Sequence, residues 1–417
     1  MNMRLLALLL LQVINIQADD RLGFVTHFQQ GWNADALVPK IVQSGAGMIR
    51  DDIGWWNCEP SKGMYTMRSS DVHWIGVAGQ AGLKIVLCLQ YPPPWYKDAS
   101  GNPYDPTAYG NVAAWIAQQC LAHPEWNVAA IEVLNEPNNI SYFHGSAGLA
   151  RYVAVLNSAY QKVKAVNPLI QVIGLGMQGD QNFTMMAQGA QGNGFTLHPY
   201  DPGDIVPEHN YEPRYNDFLQ YLTAWRKHTS LPRWDTEWGD QSSLAGGEYN
   251  QALEHVRRIL LCFGGGVAHS FIYDFMDAGD HSGVITGSLA PKQAYAVIQR
   301  LVPYLQGLSS QGGVYVDKSN SASNFDYPNF ISYVFQSDPV SPVRTVATGW
   351  IGYGKTDTAH FVSYGAQMSF YHPAAITVTA LNPMTGAIWS PIWSQSGSSV
   401  VLKDEQVTNE PVLYIVR

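Results

Sequence analysis

The sequence of 417 residues predicts a (β/α)8 TIM barrel followed by a small C-terminal antiparallel β-sandwich domain. Three observations predict this fold. Eight short apolar segments alternate with longer amphipathic segments, the short segments are apolar at nearly every position, and the composition changes after residue 307. Near-continuous apolar strands separated by helices indicate a parallel sheet that is covered on its faces. Eight such units in about 290 residues fit a closed barrel better than an open doubly wound sheet.

The predicted strands are short apolar runs, and they cover residues 22–28, 47–53, 84–91, 129–136, 171–177, 194–200, 233–239 and 269–275. Between them, apolar residues recur every three or four positions, which is the period of an α-helix. Clear examples are residues 35–46, 150–166 and 250–263. A closing helix begins at Pro291, after the eighth strand. No G-x-G-x-x-G motif follows the first strand, which disfavours a dinucleotide-binding fold.

The N-terminal segment predicts a secretory signal peptide over residues 1–18. Arg4 precedes an apolar run that is too short to span a bilayer, and the small residue Ala18 ends the polar stretch that follows. The catalytic barrel is then predicted over 19–307. An accessory β-sandwich domain is predicted over 308–417, where short alternating segments are separated by Ser, Asn, Gly and Pro. We expect the mature protein to be secreted or periplasmic and not to be held by a membrane.

The composition argues against nucleic acid or an anionic membrane as a partner. The formal net charge is -9, and the sequence has no basic run of the kind that binds nucleic acid. The chain contains 13 Trp and 23 Tyr, which either fill a large core or line a cleft with flat faces that stack on sugar rings. Composition alone does not choose between these two roles. The four cysteines show no C-x-x-C spacing, and their pairing stays open.

Polar and aromatic residues gather where the predicted strands end. In a TIM barrel the reacting groups lie at these C-terminal ends, where the βα loops form a cleft. The candidate site residues, in chain order, are Arg50, Trp56, Tyr91, Trp95, Asn135, Glu136, His198, Tyr200, Glu237, Trp238 and Tyr273. We expect at least one of the tryptophans to stack on a sugar ring.

Two carboxylates among these candidates, Glu136 and Glu237, end the fourth and seventh strands. Three βα units separate them, so they lie on opposite sides of the barrel mouth. Cleavage of a glycosidic bond needs such a pair, because one group protonates the leaving oxygen while the other attacks or stabilises the anomeric carbon. A separation of about 5–5.5 Å indicates retention of configuration, and about 6.5–9.5 Å indicates inversion through an intervening water.

The motifs around these carboxylates resemble those of a known group of enzymes. The stretches "LNEPN" and "DTEWG" look like the acid/base and nucleophile motifs of clan A, the retaining (β/α)8 glycoside hydrolases. Residues 47–67 and 84–96 are similar to the second and third strand regions of its family 39, the β-xylosidase-like family. The resemblance covers the chain from about residue 22 to residue 305.

This resemblance implies a role for each matching residue. Glu136 would be the general acid/base and Glu237 the nucleophile, and Asn135 would bind the sugar 2-hydroxyl. Arg50 would pair with Glu237, and Tyr200 would donate its hydroxyl to the same carboxylate. His198 would contact either the substrate or the acid. The clan often ends its eighth strand with a Trp under the sugar, a position that Phe271 or Tyr273 would take in this chain.

The sequence therefore predicts a secreted retaining glycoside hydrolase that cleaves β-glycosidic bonds of a neutral oligo- or polysaccharide by double displacement, without a cofactor or a metal. Two alternatives on the same scaffold stay open, a non-catalytic carbohydrate-binding barrel and a transglycosylase. A metal-dependent barrel hydrolase would need several converging ligands, typically including an H-x-H motif on an early strand. The strand ends supply only single histidines, such as His27 and His198.

Overall fold

Eight parallel strands close into a barrel in the computed structural model of the chain, which describes residues 18–96, 104–138, 143, 145–177, 181–199, 214–243, 247–322, 330–352 and 363–417. Each strand pairs with the next one along the chain, and the first pairs with the eighth. The strands are β1 (Asp19–Val25), β2 (Ala46–Gly54), β3 (Lys84–Gln90), β4 (Val128–Val133), β5 (Gln171–Met177), β6 (Gly194–Leu197), β7 (Arg233–Trp238) and β8 (His269–Ile272). The predicted barrel is confirmed.

Helices follow the strands and cover the outside of the barrel. They are α1 (Ala34–Ser44), α2 (Trp55–Cys58), α3 (Ser69–Gln80), α4 (Pro106–Ala122), α5 (Gly145–Val166), α6 (Gln181–Ala187), α7 (Arg214–His228), α8 (Gly247–Gly265) and α9 (Gln293–Leu305). Local chemistry sets several of their ends. The side chain of Asn33 accepts a hydrogen bond from the Ala36 amide at the start of α1, and Asp105 caps α4 in the same way.

The inside of the barrel is filled by a layer of apolar side chains. Seven strands contribute to this layer, through Val25, Met48, Val86, Ala130, Ile173, Trp234 and Phe271. The Phe271 ring lies so close to the β1 backbone that a Cβ atom at Gly23 would come within 2.5 Å of it. Glycine at position 23 therefore makes room for the aromatic ring. The layer closes the barrel beneath its C-terminal mouth, so polar groups collect above it.

Two antiparallel sheets follow the barrel and confirm the predicted β-sandwich. One has the strand order β10-β13-β17-β16 and the other β15-β14-β18-β12-β11-β9. The strands are β9 (Ser309–Ser310), β10 (Tyr315–Val316), β11 (Phe330–Gln336), β12 (Thr345–Ile351), β13 (Tyr364–Tyr371), β14 (Val378–Leu381), β15 (Ile388–Trp389), β16 (Ile392–Ser396), β17 (Ser399–Val407) and β18 (Val412–Val416). Buried side chains of both sheets form one core between them, including Ala347 from one sheet and Leu402 from the other.

The β-sandwich packs on α8 of the barrel. A Cβ atom at Gly264 would come within 2.3 Å of the Tyr333 ring of β11, so this part of the helix lies directly against the sheet. The guanidinium of Arg257 donates two hydrogen bonds to the Asn409 carbonyl, at 2.8 and 3.1 Å. The tyrosine hydroxyl of Tyr249 donates to Glu410. These contacts attach the sandwich to the outside of the barrel.

Three further features bear on the sequence predictions. The four cysteines, all of which lie in described segments, are buried and unpaired. None of the helices in the described segments is long and apolar enough to cross a lipid bilayer. The predicted signal peptide lies, apart from Ala18, outside the described residues, and it stays a prediction.

Candidate active site

Four strand ends bring a set of polar side chains together at the mouth of the barrel. We call this set the mouth cluster, and it consists of Arg50, Glu132, Asn135, Glu136, His198, Thr236 and Glu237. One side-chain oxygen each of Glu136 and Glu237 and one ring nitrogen of His198 all lie within 4.8 Å of one another. The two carboxylates that the sequence places on opposite walls therefore face each other across a short gap.

Arg50, on β2, connects the two walls. Its Nη1 lies 3.2 Å from Glu237 Oε2, and its Nη2 donates to Asn135 Oδ1 at 2.7 Å. Its Nε donates to Glu132 Oε2 at 2.5 Å. Burial alone would disfavour the charge, but the surrounding acids, Glu132 before Glu237, hold the pKa of Arg50 well above its ordinary value. The predicted pairing of Arg50 with Glu237 is thus present, and the guanidinium serves three partners at once.

Glu132 was not among the residues that the sequence singled out. It lies on β4, is fully buried, and accepts hydrogen bonds from Arg50 and from the hydroxyl of Thr236, the latter at 2.8 Å. Burial disfavours its ionisation, but Arg50 and His198 lower its pKa to about 2. The sequence did contain a sign of this role, because Glu132 is an acidic residue inside the apolar run 129–134. It lies two positions after the inward-facing Ala130, and strand residues two apart share a face.

An irregularity in β7 brings two consecutive side chains into the mouth cluster. The pairing register between β7 and β8 shifts between Asp235 and Trp238. Thr236 contacts Glu132 and His198, and the next residue, Glu237, also faces inward to Arg50. Regular alternation would have turned one of these two side chains outward, so the shift is what places both beside the reacting groups.

The end of β4 leaves the extended conformation at the motif that carries the first carboxylate. Leu134 has a φ of 65° and Glu136 has a φ of 41°, both in the left-handed region that side chains other than glycine rarely adopt. Leu134 is buried in the core, while Asn135 and Glu136 remain partly accessible at the mouth. Backbone strain of this kind persists where the surroundings over-determine the conformation, and it clusters at functional sites.

His198, just after β6, contacts the acid as the resemblance implied. Its Nδ1 lies 3.2 Å from Glu136 Oε1 and 3.8 Å from Glu237 Oε2. Its Nε2 lies 3.0 Å from the Thr236 hydroxyl. Burial lowers the pKa of this imidazole, but the carboxylates, led by Glu132 and Glu136, together raise it to about 9. The His198 ring thus lies beside both facing carboxylates and contacts Glu136 directly.

Aromatic candidates line the rim to different degrees. Trp56 and Tyr91 are 55% and 42% exposed, and their backbones are joined by a hydrogen bond of 2.9 Å. The Tyr91 hydroxyl donates to Asp52 Oδ2 at 3.2 Å. Tyr273 is partly buried beside the His27 ring. Trp95 lines a surface cavity of about 400 Å³ together with Tyr104 and Arg151, among others.

The prediction for Trp238 is wrong. Of the two residues expected in place of a Trp at the eighth strand, Phe271 is excluded and Tyr273 remains. Trp238 is 1% exposed, donates to Ser270 Oγ at 2.6 Å and packs against the Arg258 guanidinium of α8, so it faces the outer helices rather than a substrate. The register shift in β7 is the reason, because it turns Glu237 inward and Trp238 outward. Phe271 belongs to the layer inside the barrel and is fully buried. The prediction for Tyr200 lies outside the described residues.

The three ligand-type atoms of Glu136, His198 and Glu237 are close enough for one cation to bridge. A positive charge is already present there, because the Arg50 guanidinium lies 3.2 Å from Glu237. The raised pKa of His198 also favours an imidazolium, which offers no lone pair to a metal. The arrangement therefore suits proton transfer and nucleophilic attack better than metal coordination.

Asp274, after β8, is a buried carboxyl group whose two oxygens accept no hydrogen bond from the described residues. The nearest cationic candidate is His27, whose Nε2 lies 3.6 Å from Asp274 Oδ2. Burial lowers the pKa of His27, so this imidazole does not supply a stable counter-charge. Burial, together with Asp280 and Asp277, raises the pKa of Asp274 to about 8.

Comparison with known proteins also indicates a glycoside hydrolase. Residues 17–260 match the family model described as Cellulase (glycosyl hydrolase family 5). No curated protein matches the chain. A family 39 glycoside hydrolase from the gut symbiont Bacteroides cellulosilyticus WH2 is similar in structure, with a TM-score of 0.72 at 18% identity, and the match covers 96% of this chain and 82% of that one.

Two further solved structures share the fold. The catalytic domain of GH30 xylanase C from Talaromyces cellulolyticus has a TM-score of 0.62 at 14% identity, with 96% of this chain and 97% of that chain covered. A GH5_18 protein from Bifidobacterium longum subsp. infantis has a TM-score of 0.53 at 14% identity, with 69% and 79% covered. At these identities the likeness concerns the fold, and the site residues depend on the geometry described above.

Replacing Asp274 by Asn should stabilise the protein increasingly as pH rises. Because the folded-state pKa lies above the unfolded value, stability from this group is complete below about pH 4 and is lost as pH rises toward 8. The amide of D274N stays neutral throughout. Its free energy of unfolding in urea, relative to wild type, should therefore rise by on the order of 3 kcal/mol between pH 5 and pH 8. A difference that stays constant with pH would contradict the assignment.

Proposed function

The chain belongs to the cellulase family, glycosyl hydrolase family 5 of clan A, and from this premise we propose that it cleaves β-glycosidic bonds of a neutral oligo- or polysaccharide by double displacement. The family is one of retaining glycoside hydrolases on a (β/α)8 barrel. In our proposal, Glu136 is the general acid/base and Glu237 is the nucleophile.

One observation carries this proposal. Oxygens of Glu136 and Glu237 lie within 4.8 Å of each other at the closed end of the mouth. This gap is shorter than the separation of about 6.5–9.5 Å that leaves room for an attacking water between the carboxyl groups of an inverting enzyme. Arg50 contacts Glu237, and His198 contacts Glu136, so the two carboxylates have different neighbours. Different environments are what assign an acid role and a nucleophile role to chemically similar groups.

In the first step, the carboxylate of Glu237 attacks the anomeric carbon on the face opposite the leaving oxygen. The bond from the anomeric carbon to that oxygen breaks, and Glu136 transfers its proton to the oxygen, so the aglycone departs as an alcohol. The products on the enzyme are a glycosyl ester of Glu237 and an ionised Glu136. Arg50 holds Asn135 through its Oδ1, and the amide N–H groups of Asn135 can donate to the sugar 2-hydroxyl.

In the second step, water attacks the same carbon from the side that the aglycone has left. Glu136 accepts a proton from this water, and Glu237 departs as a carboxylate that Arg50 stabilises. Two inversions give net retention. If an alcohol of a second sugar replaces the water, the same site performs transglycosylation, so the ratio of hydrolysis to transfer depends on the acceptor.

The charge and the aromatic side chains of the rim support a neutral substrate. Asp52, in β2, accepts a hydrogen bond from Tyr91, which is exposed, as is Trp56. Flat aromatic faces stack on the apolar faces of sugars, whereas a carboxylate repels acidic glycans. The net charge of -9 adds to this repulsion at long range.

Azide rescue distinguishes the two carboxylate roles. With an activated aryl β-glycoside that wild type cleaves, E237A should lose at least about 10³-fold in kcat/KM. E136A should lose on the order of 10²-fold in kcat, because the second step lacks its general base, whereas the activated leaving group departs without a proton from Glu136. Azide should restore turnover of E136A and give a β-glycosyl azide, because the covalent intermediate still forms. Azide should restore E237A with the α-glycosyl azide, because a single displacement replaces two. Product anomers are read by NMR.

The matched control for this experiment is E125Q, which removes an exposed carboxylate outside the mouth cluster and should keep wild-type activity. Near-normal turnover by E136A or E237A would overturn the assignment. A protein that binds glycans but releases no product from any aryl glycoside or polysaccharide would instead support the carbohydrate-binding alternative.

We also propose that the chain is exported. The support is the apolar run after Arg4 and the small residue at Ala18. N-terminal sequencing of protein recovered from the medium or periplasm should begin near Asp19. A protein that keeps its original N-terminus in the cytoplasm would contradict export.

A further inference from the structure

We propose that Glu132 and Thr236 are positioning residues that act on the acid/base step through His198, by way of a buried hydrogen-bond relay. The relay runs from the Glu132 carboxylate through the Thr236 hydroxyl and the His198 ring to Glu136. This inference rests on the proposed role of Glu136, and it adds two residues that do not touch the substrate.

The direction of the relay follows from counting hydrogens. Thr236 Oγ1 lies 2.8 Å from Glu132 Oε1 and 3.0 Å from His198 Nε2. A hydroxyl has one hydrogen to donate, and an ionised carboxylate only accepts. The Thr236 hydrogen therefore goes to Glu132, and the oxygen of Thr236 accepts from His198. His198 must carry a hydrogen on Nε2.

The opposite direction would leave the relay unsatisfied. If Thr236 donated to His198 Nε2, then Glu132 Oε1 would lose its hydroxyl donor while fully buried beside Thr236. An ionised group without its hydrogen bonds in a buried site is costly. The Glu132 oxygen also lies 3.9 Å from His198 Nε2, which is beyond hydrogen-bond distance. Thr236 is thus the bridge that connects this carboxylate to the imidazole.

Because Nε2 carries a hydrogen, Nδ1 is the ring nitrogen that exchanges a proton with Glu136. His198 Nδ1 faces Glu136 Oε1 at 3.2 Å and is the ring atom left to gain or lose a proton. When Glu136 is protonated, Nδ1 can accept its hydrogen bond. When the shared proton lies on Nδ1 instead, Nδ1 donates to the ionised carboxylate of Glu136. Glu136 and His198 therefore share a proton, and they titrate as a pair.

Within the described part of the chain, charged groups of the mouth cluster face this imidazole. They are Arg50 from β2, Glu132 and Glu136 from β4 and the turn after it, and Glu237 from β7. Arg50 holds Glu132 ionised, so the far end of the relay stays an acceptor. The negative charge of Glu132 stabilises the imidazolium of His198, so Glu136 and His198 keep their shared proton to a higher pH.

The test compares T236V, which removes the hydroxyl at nearly constant volume, with T236S, which keeps it. Both variants are assayed against wild type across the pH range with an aryl glycoside whose leaving group is poor, so that its departure needs the proton of Glu136. We expect T236V to lose about ten-fold in kcat with little change in KM. Its activity should also fall at a pH about one unit lower on the alkaline side, because the pair loses the shared proton more easily. T236S should follow the wild-type profile.

Thermal unfolding shows whether T236V is folded, and a second measurement is made on the intact relay of the wild-type protein. Long-range ¹H–¹⁵N spectra of wild type, with His198 assigned by its absence in H198N, report which ring nitrogen keeps its hydrogen once the imidazolium deprotonates. Hydrogen on Nε2 supports the relay, and hydrogen on Nδ1 with a bare Nε2 overturns it. A T236V pH profile that coincides with those of T236S and wild type also overturns it.

Failure of the relay and failure of the proposed function give different results. If E136A keeps wild-type turnover, the role of Glu136 is wrong, whatever Thr236 does. If E136A is slowed and rescued by azide while T236V behaves as wild type, the proposed function stands and only the relay fails.

Discussion

The mouth of this barrel depends on one buried guanidinium that satisfies three acceptors from two other strands. Arg50 contacts Glu132, Asn135 and Glu237 at once, and each contact uses a different nitrogen. A charge buried at 3% exposure is tolerable only when it is paired and hydrogen-bonded, so the positions of these partners are mutually constrained. This constraint aims Glu237 toward Glu136, and it makes the distance between them a property of the fold rather than of flexible loops.

Two kinds of local irregularity adapt a regular barrel to its chemistry. The register shift in β7 turns Thr236 and Glu237 toward the same hollow, and the left-handed conformation of Glu136 turns the end of β4 into it. Regular strands would have supplied fewer groups at this level of the barrel, because alternate side chains face outward. The packed layer below, with Trp234 and Phe271, resists displacement of either strand.

Much of this organisation could be predicted from the sequence, because the apolar period identifies strands and the TIM barrel places reacting groups at their ends. The eight strands and the facing pair Glu136 and Glu237 follow from that logic, whereas the pairing of Arg50 with Glu237 was implied by the resemblance to clan A. The orientation of Trp238 could not be predicted in this way. A register shift in β7 reverses which side chains face the barrel interior, and the amino-acid sequence shows no sign of such a shift. Glu132 could have been found by the same reasoning, but attention went to the stronger motif that begins two residues later, at Leu134.

The central claim is that Glu237 forms a covalent bond to the sugar while Glu136 handles the proton. The most direct measurement uses a 2-deoxy-2-fluoro glycoside with an activated leaving group, which slows breakdown of the glycosyl-enzyme, followed by digestion and mass spectrometry. The account predicts one added fluorosugar per chain, located on the peptide that contains Glu237. A label on Glu136 or on another residue, or turnover with inverted product and no label, would contradict it.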